Sequence, residues 1–168
     1  MTRKERGMYF THTDSPCPLT GELVYVQEDH AFQTIPTPPM WNSVTANTFE
    51  VFLDIQGVVT GGGGYCPHQG WKKKALTIPD YVPGRVKCHG FPSFDKQIPR
   101  NVDDATWGVY YDSVQRWICI GHSSEETKEE CSHIEVLKGF VLGFDKKGMM
   151  KTIWIEMTNC CPFNSATS

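Results

Sequence analysis

The chain has 168 residues, with 16 Lys or Arg against 19 Asp or Glu and a formal net charge of −3. That length suits a single domain, residues 1–168, with a sizeable core, and the acidic balance argues against general binding to nucleic acid or anionic lipid. No apolar run approaches the roughly 18 residues that cross a bilayer, so no membrane partner is expected either.

Residues 1–20 are polar and include Ser15-Pro-Cys-Pro18, which predicts an irregular N-terminal arm. Its charged start, Thr2 to Gly7, leads into no apolar segment, so no signal peptide is expected. Glu22 to Glu28 predicts a strand pairing with His30 to Thr34. Ile35-Pro-Thr-Pro-Pro-Met40 must be extended, because proline fixes φ and removes amide donors. Thr48 to Ile55 alternates cleanly: Phe49, Val51, Leu53 and Ile55 face inward, Thr48, Glu50 and Asp54 outward, and only Phe52 breaks the pattern. At Gly61 to Gly64 strand propensity stops, which reads as a hinge beside a pocket. From there to Thr106 only Arg85 to His89 predicts a strand. The remainder reads as long loops containing Trp71, Tyr81, Phe91 and Phe94. Loops longer than about 12–15 residues in compact domains are usually functional or disordered, and aromatic content on this scale opposes disorder. A site is therefore expected in this stretch.

Trp107 to Met157 reads as four strands. Trp107 to Asp112 and Gln115 to Gly121 form a hairpin, and the second of these is apolar on both faces at Trp117 to Ile120, which places it centrally. Ile134 to Phe144 and Met149 to Met157 form a second hairpin around the turn Asp145-Lys146-Lys147-Gly148. Period-two alternation puts Ile134, Val136, Phe140, Leu142 and Phe144 on one face, with Gly139 and Gly143 on the other. Met149, Ile153, Ile155 and Met157 share a face of the last strand. Ser123 and Glu126 have capping-box spacing and open a short helix, Ser124 to Cys131. Residues 159–168 predict an irregular tail. The expected fold is mainly β: about eight antiparallel strands curled into a barrel or roll with one short helix, the alternative being an α+β fold with a meander sheet.

Seven cysteines without an export signal read as reduced thiols in a cytoplasmic protein. Cys66-Pro-His68 and Cys88-His89-Gly-Phe91 resemble the cluster-binding boxes of Rieske iron–sulfur domains, which use Cys-x-His and Cys-x-x-His. The resemblance implies a cluster bound by Cys66, His68 and Cys88. The second box departs from the pattern, because Phe91 stands where the family has histidine and His89 adjoins Cys88. Neighbours on extended chain point to opposite sides. A mononuclear Zn²⁺ or iron site using Cys66, His68, Cys88 and His89 is the related alternative. Packing among loop aromatics is the plain one, so the cofactor stays unassigned: a metal, or none. Cys119-x-x-His122 and Cys131-x-His133 form a second metal-like set, although Cys119 sits mid-strand where a buried thiol acts as a small hydrophobe.

No nucleophile elbow, His-Glu-x-x-His helix or spaced carboxylate pair stands out, so no catalytic residue is assigned and the balance leans away from an enzyme without settling it. Gly61 to Gly64 lacks the Gly-Lys-Ser/Thr ending of a phosphate loop. The leading expectation is a binding protein for a small apolar or aromatic molecule, held under the 61–106 loops by Trp71, Phe91, Phe94, Tyr110 and Trp117. The rivals are the metal protein and a homodimeric partner-binding module that pairs through an exposed sheet edge.

Overall fold

The structure is a computed structural model that describes residues 8–90, 100–102, 107–122 and 131–157. Among these residues the chain forms strands β1 (Tyr9–Asp14), β2 (Glu22–Val26), β3 (Ala31–Ile35), β4 (Asn42–Ala46), β5 (Phe49–Leu53), β6 (Val59–Tyr65) and β7 (Lys72–Lys73). It continues with β8 (Val82–His89), β9 (Arg100–Asn101), β10 (Trp107–Asp112), β11 (Trp117–His122), β12 (Ser132–Leu137), β13 (Phe140–Phe144) and β14 (Met150–Glu156). Two 3₁₀ turns, Gln27–Asp29 and His68–Gly70, are the only helical pieces among the described residues. The protein is mainly β, as its composition implies. The expected helix from Ser124 falls outside the described residues, as does the 159–168 tail.

The strands make two sheets, ordered β1-β8-β12-β13-β14-β11-β10-β7 and β2-β3-β6-β5-β4-β9. No closed barrel is present among the described residues. Adjacent strands are antiparallel except at β8–β12, β7–β10 and β4–β9, which depart from the antiparallel expectation. None of these pairs is joined by a short turn, so hairpin geometry does not dictate their direction. An isolated bridge between Val58 and Lys87 ties the sheets together along one side.

Both sheets feed one buried cluster. Phe49 of β5 lies edge-on to Phe140 of β13 with centroids 5.9 Å apart, and to Phe32 of β3 at 5.8 Å. This contact explains why Gly61 to Gly64 belong to strand β6 and not to a hinge. A Cβ on Gly62 would sit 2.8 Å from Phe49 and 3.0 Å from Phe140, so only glycine lets the facing rings close over the strand. Propensity disfavours glycine here, and packing overrides it.

Other departures have equally local causes. Residues 9–14, expected within an irregular arm, pair with β8 over six consecutive residues, although Phe10 alone marks their inward face. The single strand expected over Ile134 to Phe144 is a hairpin. Leu137 opposes Phe140, and Gly139 turns the chain at φ 76° while its amide donates to the Glu135 carboxylate. In β13–β14 the pairing passes from Gly143–Thr152 to Phe144–Met150, so Lys151 is an extra residue. That bulge buries Met150 in the place expected for Met149. Ile55, expected inward, is 63% exposed, because β5 ends at Leu53 and the Asp54 carboxylate caps a turn through the amides of Gln56 and Val58. The β2–β3 hairpin and the inward set Phe49, Val51 and Leu53 are as expected.

Gly62→Ala should cost about 1–3 kcal/mol of stability by overpacking. Gly70→Ala, which would meet nothing within 4 Å, should stay within about 0.5 kcal/mol of the parent. Urea unfolding followed by tryptophan fluorescence distinguishes the two.

Candidate functional site

Cys66 and Trp71, in the segment expected to roof a pocket, are part of the core. Trp71 is buried, stacks on Phe32 with centroids 6.2 Å apart and lies edge-on to Tyr25 at 5.2 Å. Its indole N–H donates to the Cys66 sulfur at 3.3 Å. The Tyr25 hydroxyl donates to the Cys66 carbonyl at 3.0 Å and accepts from the His68 amide at 3.2 Å, which seats the His68–Gly70 turn on the β2–β3 hairpin. His68 rests against His30, with ring centroids 5.9 Å apart. Trp71 thus fills space that a ligand would need.

The four residues of the proposed metal set are not brought together. Cys88 and His89 are neighbours on β8 and face opposite ways. Cys88 enters the core opposite Phe10, whereas His89 turns outward, stacks on Tyr9 at 5.0 Å and bonds the Thr11 hydroxyl at 2.8 Å. Desolvation and the nearby Lys87 lower the pKa of His89. No group of three or more His, Cys, Asp or Glu among the described residues is close enough to hold a metal ion.

The second set forms no such group among the described residues. Cys119 lies under Leu76 and Ile78 with Trp117, Val141 and Trp154, and the His122 side chain lies outside the described residues. Burial pushes the Cys66 thiol up to about 11 and those of Cys88 and Cys119 to about 12. Thiols so placed stay protonated at neutral pH and are poor nucleophiles.

Of the five residues expected to line a ligand, Phe91 and Phe94 lie outside the described residues. Tyr110 and Trp117 share one face of the eight-stranded sheet, because Tyr110 opposes Cys119 and Asp112 opposes Trp117. Trp71 packs on the other face, against Tyr111 at 5.7 Å. The stretch 74–81 straps down the Trp117 side. Its anchor is the buried Asp112 carboxylate, which accepts from the amides of Leu76, Val114 and Gln115 and from the Gln115 side chain. Those donors, led by the Leu76 amide, hold the carboxyl down to about 2. Lys74 adds a cation over the Tyr110 ring, 5.4 Å from its centroid.

An open cleft of about 390 Å³ lies elsewhere, between β1 and the turn from β13 to β14. Tyr9, Thr11, His12 and Ser132 line it, together with the nearly buried Phe10 and Phe144, whose rings lie 5.2 Å apart. The Asp145–Gly148 turn closes one end. Asp145 shapes this turn by accepting from the amides of Lys147 and Met149, each at 2.9 Å, and Lys151 lies 3.9 Å from the same carboxylate. The Lys146 and Lys147 side chains are exposed at the mouth. The turn was legible in the sequence. The cleft was not, since its opposite wall is the strand hidden in the polar N-terminal stretch.

At pH 7.5 a thiol reagent with mass-spectrometric mapping should label Cys17 quickly, and Cys66, Cys88 and Cys119 only at the rate of unfolding. Asp112 is depressed below its unfolded value of 3.8, so its contribution is fully present above about pH 4 and is lost as pH falls toward 2. Asp112→Asn should therefore be less stable than the parent at pH 7, with the difference shrinking as pH falls through about 2 in urea titrations. No protein-family model matches the chain, and no curated protein sequence matches it significantly.

Proposed function

We propose that this chain is a binding protein whose site is the cleft between β1 and the Asp145–Gly148 turn. Its ligand joins an apolar or aromatic body to a negative charge. The observation that carries this reading is the cleft itself: several hundred Å³, with Lys147 at its mouth and Tyr9 and His12 on its wall. That volume falls in the range of small-ligand sites. The Asp145 carboxylate is engaged by two amides, with Lys151 beside it, and Lys147 is exposed at the rim.

This cleft takes the place of a pocket under the 61–106 loops, since Trp71 is committed to packing and Tyr110 and Trp117 lie beneath the 74–81 strap. Two sheets bridged at Val58 and Lys87 around one core support an open roll as the finer description of the fold. Five free thiols among the described residues support a reducing, cytoplasmic setting.

Titrating 2-naphthoate into ¹⁵N-labelled protein should shift the amides of residues 9–12 and 144–148 and leave those of 74–81 unmoved. Lys147→Glu should weaken binding about fivefold, the effect of about 1 kcal/mol of exposed charge pairing. Saturable shifts confined to other residues would refute the site.

A further inference from the structure

β1 ends the eight-stranded sheet, and its outer side forms a wall of the cleft. In an antiparallel ladder, residue pairs that exchange both main-chain hydrogen bonds alternate with pairs whose N–H and C=O point away from each other. Phe10 opposes Cys88, yet the Phe10 amide donates outward to Gly148 and the Cys88 amide donates to Gly57, each at 2.8 Å. Phe10–Cys88 is therefore a pair of the second kind. By the same parity His12 and Asp14 direct their main-chain groups outward, and those groups have no backbone partner among the described residues.

Edge strands are ordinarily protected by shortness, proline, a bulge or a lysine. β7 is protected by length, at two residues, and β9 is described over two residues. β1 has none of these devices: Tyr-Phe-Thr-His-Thr-Asp pairs with β8 in unbroken register. The remaining edge, β2, reads Glu-Leu-Val-Tyr-Val and carries no basic residue. Among the described residues, only β1 combines open main-chain groups with a cleft and a lysine-bearing turn beside them.

We infer that the ligand of this cleft is an extended acidic peptide, added as a further strand along His12 to Asp14 with an acidic side chain against Lys147. This rests on the cleft being the binding site, and it names the ligand class. Strand addition takes its affinity from main-chain hydrogen bonds and its selectivity from flanking side-chain contacts. The Asp145–Gly148 turn covers Phe10 and so sets where the added strand stops. A second copy of this chain fits less well. Two β1 strands could overlap only across His12 to Asp14, and each Ser15-Pro16 would then run into the other's Asp145–Gly148 turn.

The probe is the peptide acetyl-Glu-Glu-Val-Thr-Val-Glu-Glu-amide, compared by calorimetry and NMR with 2-naphthoate. Peptide binding should slow exchange of the His12 and Asp14 amides roughly tenfold or more. N-methylating the peptide at one alternate set of residues should abolish binding, and methylating the other set should change it less than about twofold. His12→Pro, which deletes only an outward donor on an edge strand, should also lose the peptide. Naphthoate binding in the cleft without peptide binding would overturn this inference and leave the cleft reading standing. Failure of both ligands would overturn both. Equal tolerance of the two methylation patterns would rule out strand addition. Protection of His12 and Asp14 that rises with protein concentration in the absence of peptide would assign the edge to a second copy.

Discussion

The close approach of the two sheets over β6 is the constraint on which the rest of this structure depends. Where a strand of ordinary composition would present side chains, Gly62 presents only hydrogen, and the rings of Phe49 and Phe140 occupy the space. The gain is dispersion and burial of apolar surface. The cost is the entropy of ordering a run of glycines. With β6 seated, β3 and β5 flank it, and Phe32 is delivered to Trp71.

That arrangement decides what the aromatic residues are for. An aromatic-rich chain can spend its rings on a cavity or on a core, and here the bulk go to the core. Trp71, Phe32, Tyr25 and Tyr111 interlock on one face of the eight-stranded sheet, while Trp117 and Trp154 pack on the other under Leu76 and Ile78. The cysteines follow the same logic. Cys66, Cys88 and Cys119 occupy small apolar niches where desolvation keeps them protonated, which suits packing better than chemistry. What stays open is at the margin: an edge strand, a lysine-bearing turn and the cleft between them.

The electrostatics divide along the same line. Asp112 and Asp145 both organise backbone amides, one pinning the 74–81 strap and the other building the turn beside the cleft. In each case one carboxylate accepts several amides at once, so a single residue orders a segment lacking regular structure. Asp112 is enclosed and serves stability. Asp145 is spent on its own turn, beside the exposed Lys147.

By itself the sequence determined the elements whose patterns are local. These include the alternation of Phe49, Val51 and Leu53, the β2–β3 hairpin, the two-faced burial of β11 and the Asp145–Gly148 turn. Each rests on period-two burial or on turn chemistry that acts within a few residues. Tertiary structure alone decided the rest. It made the four glycines a central strand, because the reason for them is the Phe49–Phe140 contact, and that contact comes from chain distant in sequence. It turned polar residues 9–14 into an edge strand by lending them the ladder of β8. Strand alternation had already set Cys88 and His89 on opposite sides, and tertiary structure added that the two boxes build no group of three ligands among the described residues. Spacing along a sequence constrains one strand at a time, whereas a site is built where several strands meet, and their meeting is set by packing between faces that no local pattern records.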